Sequence, residues 1–160
     1  MSDETRFTEA EAHLYFAKSL NGEVWSLLKK ADRTADDDER MVHAAHASHY
    51  HWLHAGTAVN RQRGEWMIAR VYSELGLGQA ALRHARRCHD LTQEHAEELE
   101  DFDRAYALEA LARAFAVMGS LMEAQNYRAK AREAGEAMGD AGYRKYFMGD
   151  LEGGNWQGAG

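Results

Sequence analysis

The chain has 160 residues, 45% of them hydrophobic, which is sufficient for a single compact domain over 1–160. Its formal net charge of -7 disfavours a nucleic-acid partner, because general nucleic-acid binders usually carry a basic excess. No stretch approaches the roughly 20 apolar residues of a membrane-spanning helix, and the first residues lack a secretory signal, so we expect a soluble, cytoplasmic protein with no membrane partner.

The chain contains no proline and no alternating run of β-branched residues, and this composition predicts an all-α fold. The first helix is predicted over about 8–30, where Thr8 and Glu11 have the capping-box spacing. The next five helices are predicted from about 36 to 55, 58–75, 79–93, 104–119 and 121–138. A short seventh helix, with Tyr143, Phe147 and Leu151 at spacings of four, is predicted to cover the last pair, and the tail of about 153–160 is predicted to be flexible.

Two segments, 68–88 and 111–131, repeat at a constant offset of 43 residues. The matched positions are Ala69 with Ala112, Arg70 with Arg113, Tyr72 with Phe115, Gly76 with Gly119, Ala81 with Ala124 and Cys88 with Ala131. The alanines allow helices to approach closely, and the two glycines predict a turn with left-handed backbone at the end of each first helix. A weaker third copy lies another 43 residues earlier, so we predict stacked antiparallel helix pairs in units of about 19–61, 62–104 and 105–147.

This pattern resembles the tetratricopeptide repeat (TPR) family, whose unit combines W-x₂-L-G-x₂-Y, A-x₃-F and a closing proline. The first four positions of the motif are occupied by Glu65, Ile68, Ala69 and Tyr72 in one unit, and by Leu108, Leu111, Ala112 and Phe115 in the next. The first tryptophan and the closing proline of the motif are absent, and the period is 43 residues instead of about 34. The resemblance implies a TPR-like α-solenoid of about three helix pairs with a short C-terminal capping helix.

The resemblance also implies a scaffold that binds a protein or peptide along a concave groove lined by the first helix of each pair. Carried over by position, the groove residues are Arg63, Trp66, Arg70 and Ser73 in one unit and Tyr106, Glu109, Arg113 and Ala116 in the next. Arg70 and Arg113 share one repeat position, where two guanidiniums could grip an acidic partner. The alternative is that both arginines pair with acids of neighbouring helices.

Five of the nine histidines lie within "VHAAHASHYHWLH", residues 42–54, on the second predicted helix. Glu39, His43 and His46 form the best candidate metal triplet on this helix, and a metal- or small-molecule-binding helical domain around it is the alternative function. The favoured interpretation is a polar helix flank, because the H-E-x-x-H spacing of a catalytic metal site is absent and nothing fixes a ligand from a second helix nearby.

The remaining candidates do not favour an enzyme. Cys88, the single cysteine, aligns with Ala131 at a position for a small packed side chain, so we predict a structural role for it. The sequence contains no G-x-S-x-G motif, no P-loop and no dinucleotide-binding glycine pattern. We therefore predict no enzymatic activity and no cofactor, with a protein or peptide as the partner and a homodimer left open.

Overall fold

The structure, a computed structural model, describes residues 4–157, and these residues form seven α-helices and no strand. The helices are α1 (Glu9–Lys29), α2 (Ala35–Ala55), α3 (Ala58–Glu74), α4 (Gly78–Glu94), α5 (Asp101–Val117), α6 (Leu121–Glu136) and α7 (Ala141–Glu152). Each helix packs on the next, and the first helices of successive pairs, α3 and α5, also contact each other. The predicted all-α fold of helix pairs with a short final helix is confirmed.

Threonine caps fix where the first two helices begin. The Thr8 hydroxyl accepts a hydrogen bond from the Glu11 N–H, and the Glu11 carboxylate accepts one from the Thr8 N–H at 2.8 Å. Thr34 and Asp37 repeat this capping box at the start of α2. Each box satisfies two backbone donors that the helix cannot pair internally, so the predicted start of α1 is confirmed.

The turns that follow α3 and α5 have the same geometry. Gly76 and Gly119 have φ angles of +74° and +78°, in the left-handed region that glycine adopts without a Cβ clash. The bonds that close the two turns run from Leu77 N–H to the Tyr72 carbonyl and from Ser120 N–H to the Phe115 carbonyl, each at 2.9 Å. These bonds are those of a Schellman motif, and the predicted glycine turns are confirmed.

The helix pairs begin earlier than the predicted repeat units. The α3 helix starts at Ala58 and α5 at Asp101, a separation equal to the repeat period, whereas the predicted units start at 62 and 105. The predicted first unit, 19–61, likewise starts inside α1. The reason is that the matched side chains lie within the helices, so they determine the period but not the residue at which a pair begins.

Small side chains lie where the alignment predicts close contact between helices. The buried alanines at these positions are Ala69, Ala81, Ala112 and Ala124. Cys88 of α4 and its counterpart Ala131 of α6 are both fully buried. Burial raises the pKa of the Cys88 thiol well above its usual range, so this side chain packs as a small apolar group.

The described part of the C-terminal tail is packed against the helices. Trp156 is only 6% exposed, and its indole N–H donates to the Leu151 carbonyl at 3.1 Å. The guanidiniums of Arg113 on α5 and Arg128 on α6 each lie 4.2 Å from the centre of the Trp156 ring. The tail was predicted to be flexible, and within it residues 153–157 include one large aromatic side chain that packs against the helices. Residues 158–160 lie outside the described part of the chain.

Candidate functional site

A cavity of about 270 Å³ lies between the odd-numbered helices α1, α3, α5 and α7. Its walls are mainly aromatic, and we call it the aromatic groove. The side chains that define it are Trp25, Arg63, Trp66, Phe102, Asp103, Tyr106, Tyr146 and Asp150. Trp25 and Tyr146 are 38% and 68% exposed, so the aromatic groove is accessible to a partner.

The aromatic rings form a continuous row from α1 to α7. Ring centroids are 5.9 Å apart between Trp25 and Trp66, and 5.4 Å apart between Trp66 and Tyr106, which meet edge to face. Tyr106 then meets the buried Phe147 edge to face at 4.8 Å. Tilted and edge-to-face contacts are the favourable arrangements for aromatic pairs, so each ring holds the next in place.

A buried carboxylate lies behind Trp66. Glu109 is 1% exposed, and it accepts the indole N–H of Trp66 at 3.1 Å. Arg113 donates its Nε–H to the same carboxylate, and Arg70 Nη1 lies 3.7 Å from Glu109 Oε1. Arg113 Nη2 also donates to the backbone carbonyl of Asp150 at 2.7 Å. Both arginines therefore contact an acid of the chain: Arg70 pairs with an acid of a neighbouring helix, as in the second interpretation drawn from the sequence, whereas Arg113 pairs with an acid of its own helix.

A salt bridge between α3 and α5 forms part of the wall of the aromatic groove. Arg63 donates from Nε and Nη2 to the two carboxylate oxygens of Asp103, at 2.8 and 3.1 Å. The hydrogen bond with Asp103 raises the pKa of Arg63. The guanidinium also lies 5.0 Å from the centre of the Phe102 ring. This part of the wall thus holds one cation that contacts both a carboxylate and an aromatic face.

A phenol of α5 and a carboxylate of α7 form another part of the wall of the aromatic groove. The Tyr106 hydroxyl donates to Asp150 Oδ2. Burial raises the pKa of Tyr106 well above its usual range, and the bond to Asp150 raises it further, so the phenol is a neutral donor. This part of the wall therefore places the carboxyl group of Asp150 beside the neutral Tyr106.

The eight groove residues predicted from the sequence separate into three groups. Arg63, Trp66 and Tyr106 line the aromatic groove; Arg70, Ser73 and Arg113 line a second cavity of about 310 Å³; Glu109 and Ala116 are buried. The tail residues Gly154, Asn155 and Gln157 form part of the wall of the second cavity. The eight predicted residues therefore do not form one continuous surface, and only Arg63, Trp66 and Tyr106 line the cavity between all four odd-numbered helices.

The predicted metal triplet does not converge. The exposed side chains of Glu39 and His43 lie 3.7 Å apart, but His46 Nε2 lies 2.7 Å from the Tyr72 hydroxyl. Burial lowers the pKa of His46, and the nearby His84 lowers it further. Within residues 4–157, no group of three or more His, Cys, Asp or Glu side chains is arranged to hold a metal ion.

A buried polar link that the sequence did not predict joins α2, α3 and α4. Glu65 of α3 lies 3.3 Å from His49 Nε2 and 2.6 Å from His84 Nδ1. Although burial raises the pKa of Glu65, the hydrogen bonds and charges of His49 and His84 outweigh it and lower the pKa to about 2. The sequence assigned Glu65 only to a repeat position, because its partners lie on other helices.

The sequence also left most of the aromatic groove unassigned. The residues missed were Trp25, Phe102, Asp103, Tyr146 and Asp150. The repeat offset aligns Trp25 with Ile68 and Leu111, which are buried, so the repeat did not indicate that Trp25 lines the groove. Tyr146 and Asp150 lie on α7, outside the two matched segments, so the repeat contains no signal for them.

Comparison of the chain with protein-family models, with curated proteins and with solved structures finds no match. None of the helices formed by the described residues has the length and apolar character needed to span a bilayer. The geometry of the aromatic groove is therefore the basis for a functional proposal.

Proposed function

We propose that the chain is a TPR-like scaffold that binds a protein or peptide segment in the aromatic groove. The observation that supports this function is the exposure of aromatic rings inside a cavity formed by all four odd-numbered helices. Exposed apolar area costs about 25 cal/mol per Å² relative to burial, so a partner side chain that covers Trp25 and Tyr146 is stabilised by the contact.

The aromatic groove is also held in place before a partner arrives. Trp66 is anchored by Glu109, Arg63 by Asp103 and Tyr106 by Asp150. Side chains fixed in this way lose little conformational entropy on binding, and rigid aromatic side chains are frequent energetic centres of protein interfaces. The cavity volume is just below the range of small-molecule sites, about 300–1,000 Å³, and suits one or two side chains of a peptide.

The acidic partner suggested by Arg70 and Arg113 has weaker support than the groove itself. A carboxylate of the partner would have to compete with Glu109, which contacts both guanidiniums and lies inside the protein. Breaking a buried ion pair is costly, since it leaves one charge without compensation. The proposal therefore gives the main role to the aromatic rings.

Peptide selection followed by quantitative binding tests this function. Peptides are selected from a random displayed library against the full chain, and their affinities are measured for three proteins. The groove variant combines Trp25→Ala with Tyr146→Ala, and the matched control combines Tyr50→Ala on α2 with Met122→Ala on α6. All four side chains are exposed, so both double variants are expected to fold.

We expect the selected peptides to bind the unmodified chain and the control equally, and the groove variant at least about tenfold more weakly, as for loss of interface hot spots. Thermal melts of all three proteins check that the fold is retained. Equal affinity of the peptides for the groove variant and the control would show that the binding site lies elsewhere.

A further inference from the structure

The charges that line the aromatic groove do not balance. Arg63 is its cation, and Asp103 and Asp150 are its carboxylates. Arg63 is paired with Asp103 through two hydrogen bonds. Asp150 accepts one hydrogen bond from the neutral Tyr106 hydroxyl, and among residues 4–157 no Lys, Arg or His side chain lies within 4.0 Å of its carboxylate. Arg113 donates a hydrogen bond to the backbone carbonyl of Asp150 and not to its carboxylate.

The chain itself shows how this kind of surface holds a cation. Arg63 lies against the ring of Phe102 and pairs with Asp103. Elsewhere in the same groove, Tyr106 and Asp150 again place an aromatic ring beside a carboxylate, but here no guanidinium of the described residues pairs with the carboxylate. The two parts of the wall therefore have matching chemistry, and among residues 4–157 only the carboxylate of Asp103 has a cationic partner.

We propose that the aromatic groove recognises an arginine side chain of its partner, whose guanidinium pairs with Asp150 among the aromatic rings. This inference rests on the proposed function and specifies the chemistry of its partner. The planar guanidinium suits the site because it can stack on an aromatic face while donating hydrogen bonds in its plane to a carboxylate.

An apolar anchor fits the same cavity less well. A leucine side chain would cover the rings but would also remove water from Asp150, and a desolvated carboxylate without a cationic partner is strongly unfavourable. The formal net charge of -7 favours the approach of a basic segment over an acidic one. The inferred partner is therefore a basic peptide, the opposite of the partner that Arg70 and Arg113 suggest.

Titration with three blocked amino acids tests the inference on the full chain. The probes are N-acetyl-arginine methylamide, the corresponding citrulline compound, which has the same shape without the charge, and the leucine compound. Binding is followed by NMR through the indole N–H signals of Trp25 and Trp66. We expect the arginine probe to move both signals and to bind about tenfold or more tightly than the citrulline probe, as for loss of a charge-assisted hydrogen bond.

A pair of variants identifies the carboxylate. Asp150→Asn removes the charge but retains an oxygen that can accept a hydrogen bond from Tyr106. We expect this variant to bind the arginine probe about tenfold or more weakly than the unmodified chain. Glu123→Gln, an exposed carboxylate on α6, is the matched control and should have no effect. If Asp150→Asn fails to fold, the comparison of arginine with citrulline on the unmodified chain decides the question.

The outcomes separate this inference from the proposed function. Citrulline or leucine probes that bind as tightly as arginine, or an arginine probe that binds Asp150→Asn unchanged or moves neither indole signal, would overturn the arginine inference. The proposed function survives each of these results if selected peptides still lose affinity for the groove variant. It fails only if those peptides bind the groove variant and the control equally.

Discussion

Trp66 and Glu109 occupy the same repeat position, 43 residues apart, and the indole N–H of Trp66 donates to Glu109 Oε2 at 3.1 Å. One position of the repeat thus provides an aromatic wall in α3 and the buried acceptor that orients it in α5. Arg70 and Arg113, which share a second repeat position, both contact the same carboxylate. Two pairs of equivalent positions therefore meet at one buried charge, because Trp66, Arg70 and Arg113 all contact Glu109.

Charge reversal should lower the free energy of unfolding by different amounts at Arg70 and at Arg113, although the two residues share a repeat position. The Arg113 side chain is 8% exposed and bonded to Glu109, so Arg113→Glu places two acids together in the interior and should lower the free energy of unfolding by more than about 3 kcal/mol. The Arg70 side chain is 30% exposed, so Arg70→Glu should cost about 1 kcal/mol. Urea denaturation measures both. Equal losses in the two variants would show that the buried charge centre is wrongly described.

Substitution of the turn glycines should cost the same amount at both turns. A Cβ at Gly76 or Gly119 would meet no atom within 4 Å, so the penalty of Gly76→Ala or Gly119→Ala comes from the positive φ alone, about 1–2 kcal/mol. Gly22→Ala is the control, because Gly22 lies in the exposed middle of α1 with the same open space. There alanine should stabilise the protein by about 0.5–1 kcal/mol. Thermal melts in which all three variants change the melting temperature in the same direction would contradict this account.

Removal of the Trp156 ring should destabilise the whole domain and not only its end. The ring is buried between Arg113 and Arg128, and truncation of a buried tryptophan costs about 3 kcal/mol. Trp156→Ala should therefore lower the free energy of unfolding by about that amount, measured with urea. Gln157→Ala, at an exposed neighbour, is the control and should change little. A Trp156→Ala protein as stable as the control would mean that the tail is detached in solution.

Acid should weaken the α2–α3–α4 link through Glu65. The pKa of this carboxylate is lowered from 4.5 to about 2 in the folded chain, so its charge stabilises the fold above pH 4.5. That contribution is lost as the pH falls from about 4.5 to about 2. Glu65→Gln removes the titration, so its free energy of unfolding should fall less steeply over this interval, with Glu123→Gln as a surface control. Identical pH profiles for Glu65→Gln and Glu123→Gln would contradict the assignment.

Local signals explain why the helices could be predicted. Thr8 with Glu11 fixes the start of α1 through bonds within four residues, and Gly76 and Gly119 fix two helix ends in the same way. The offset of 43 residues then predicted that α5 would repeat α3. Each of these features depends on neighbours in the chain, so it can be read without knowledge of tertiary contacts.

The burial of Arg113 at the candidate site depends on the tail and on α7, which lie outside the two matched segments of the repeat. Trp66 and Glu109 share a repeat position, but Arg113 beside Glu109 is covered by Trp156 and the end of α7. The tail thus turns one predicted groove residue into an interior one. His46 is a similar case, because the sequence grouped it with Glu39 and His43 as a candidate metal triplet, whereas its Nε2 lies 2.7 Å from the hydroxyl of Tyr72 on α3.

The burial of Cys88 makes the thiol a reporter of local opening. It is the only cysteine of the chain, and α4 packs against both α3 and α5. A thiol reagent reacts with the thiolate, which burial suppresses, so labelling requires that α4 separate from its neighbours. The rate of labelling under native conditions therefore measures how often the middle of the helix stack opens. The labelling rate of this one thiol can therefore be used to compare local opening among the variants described above, without introducing a probe.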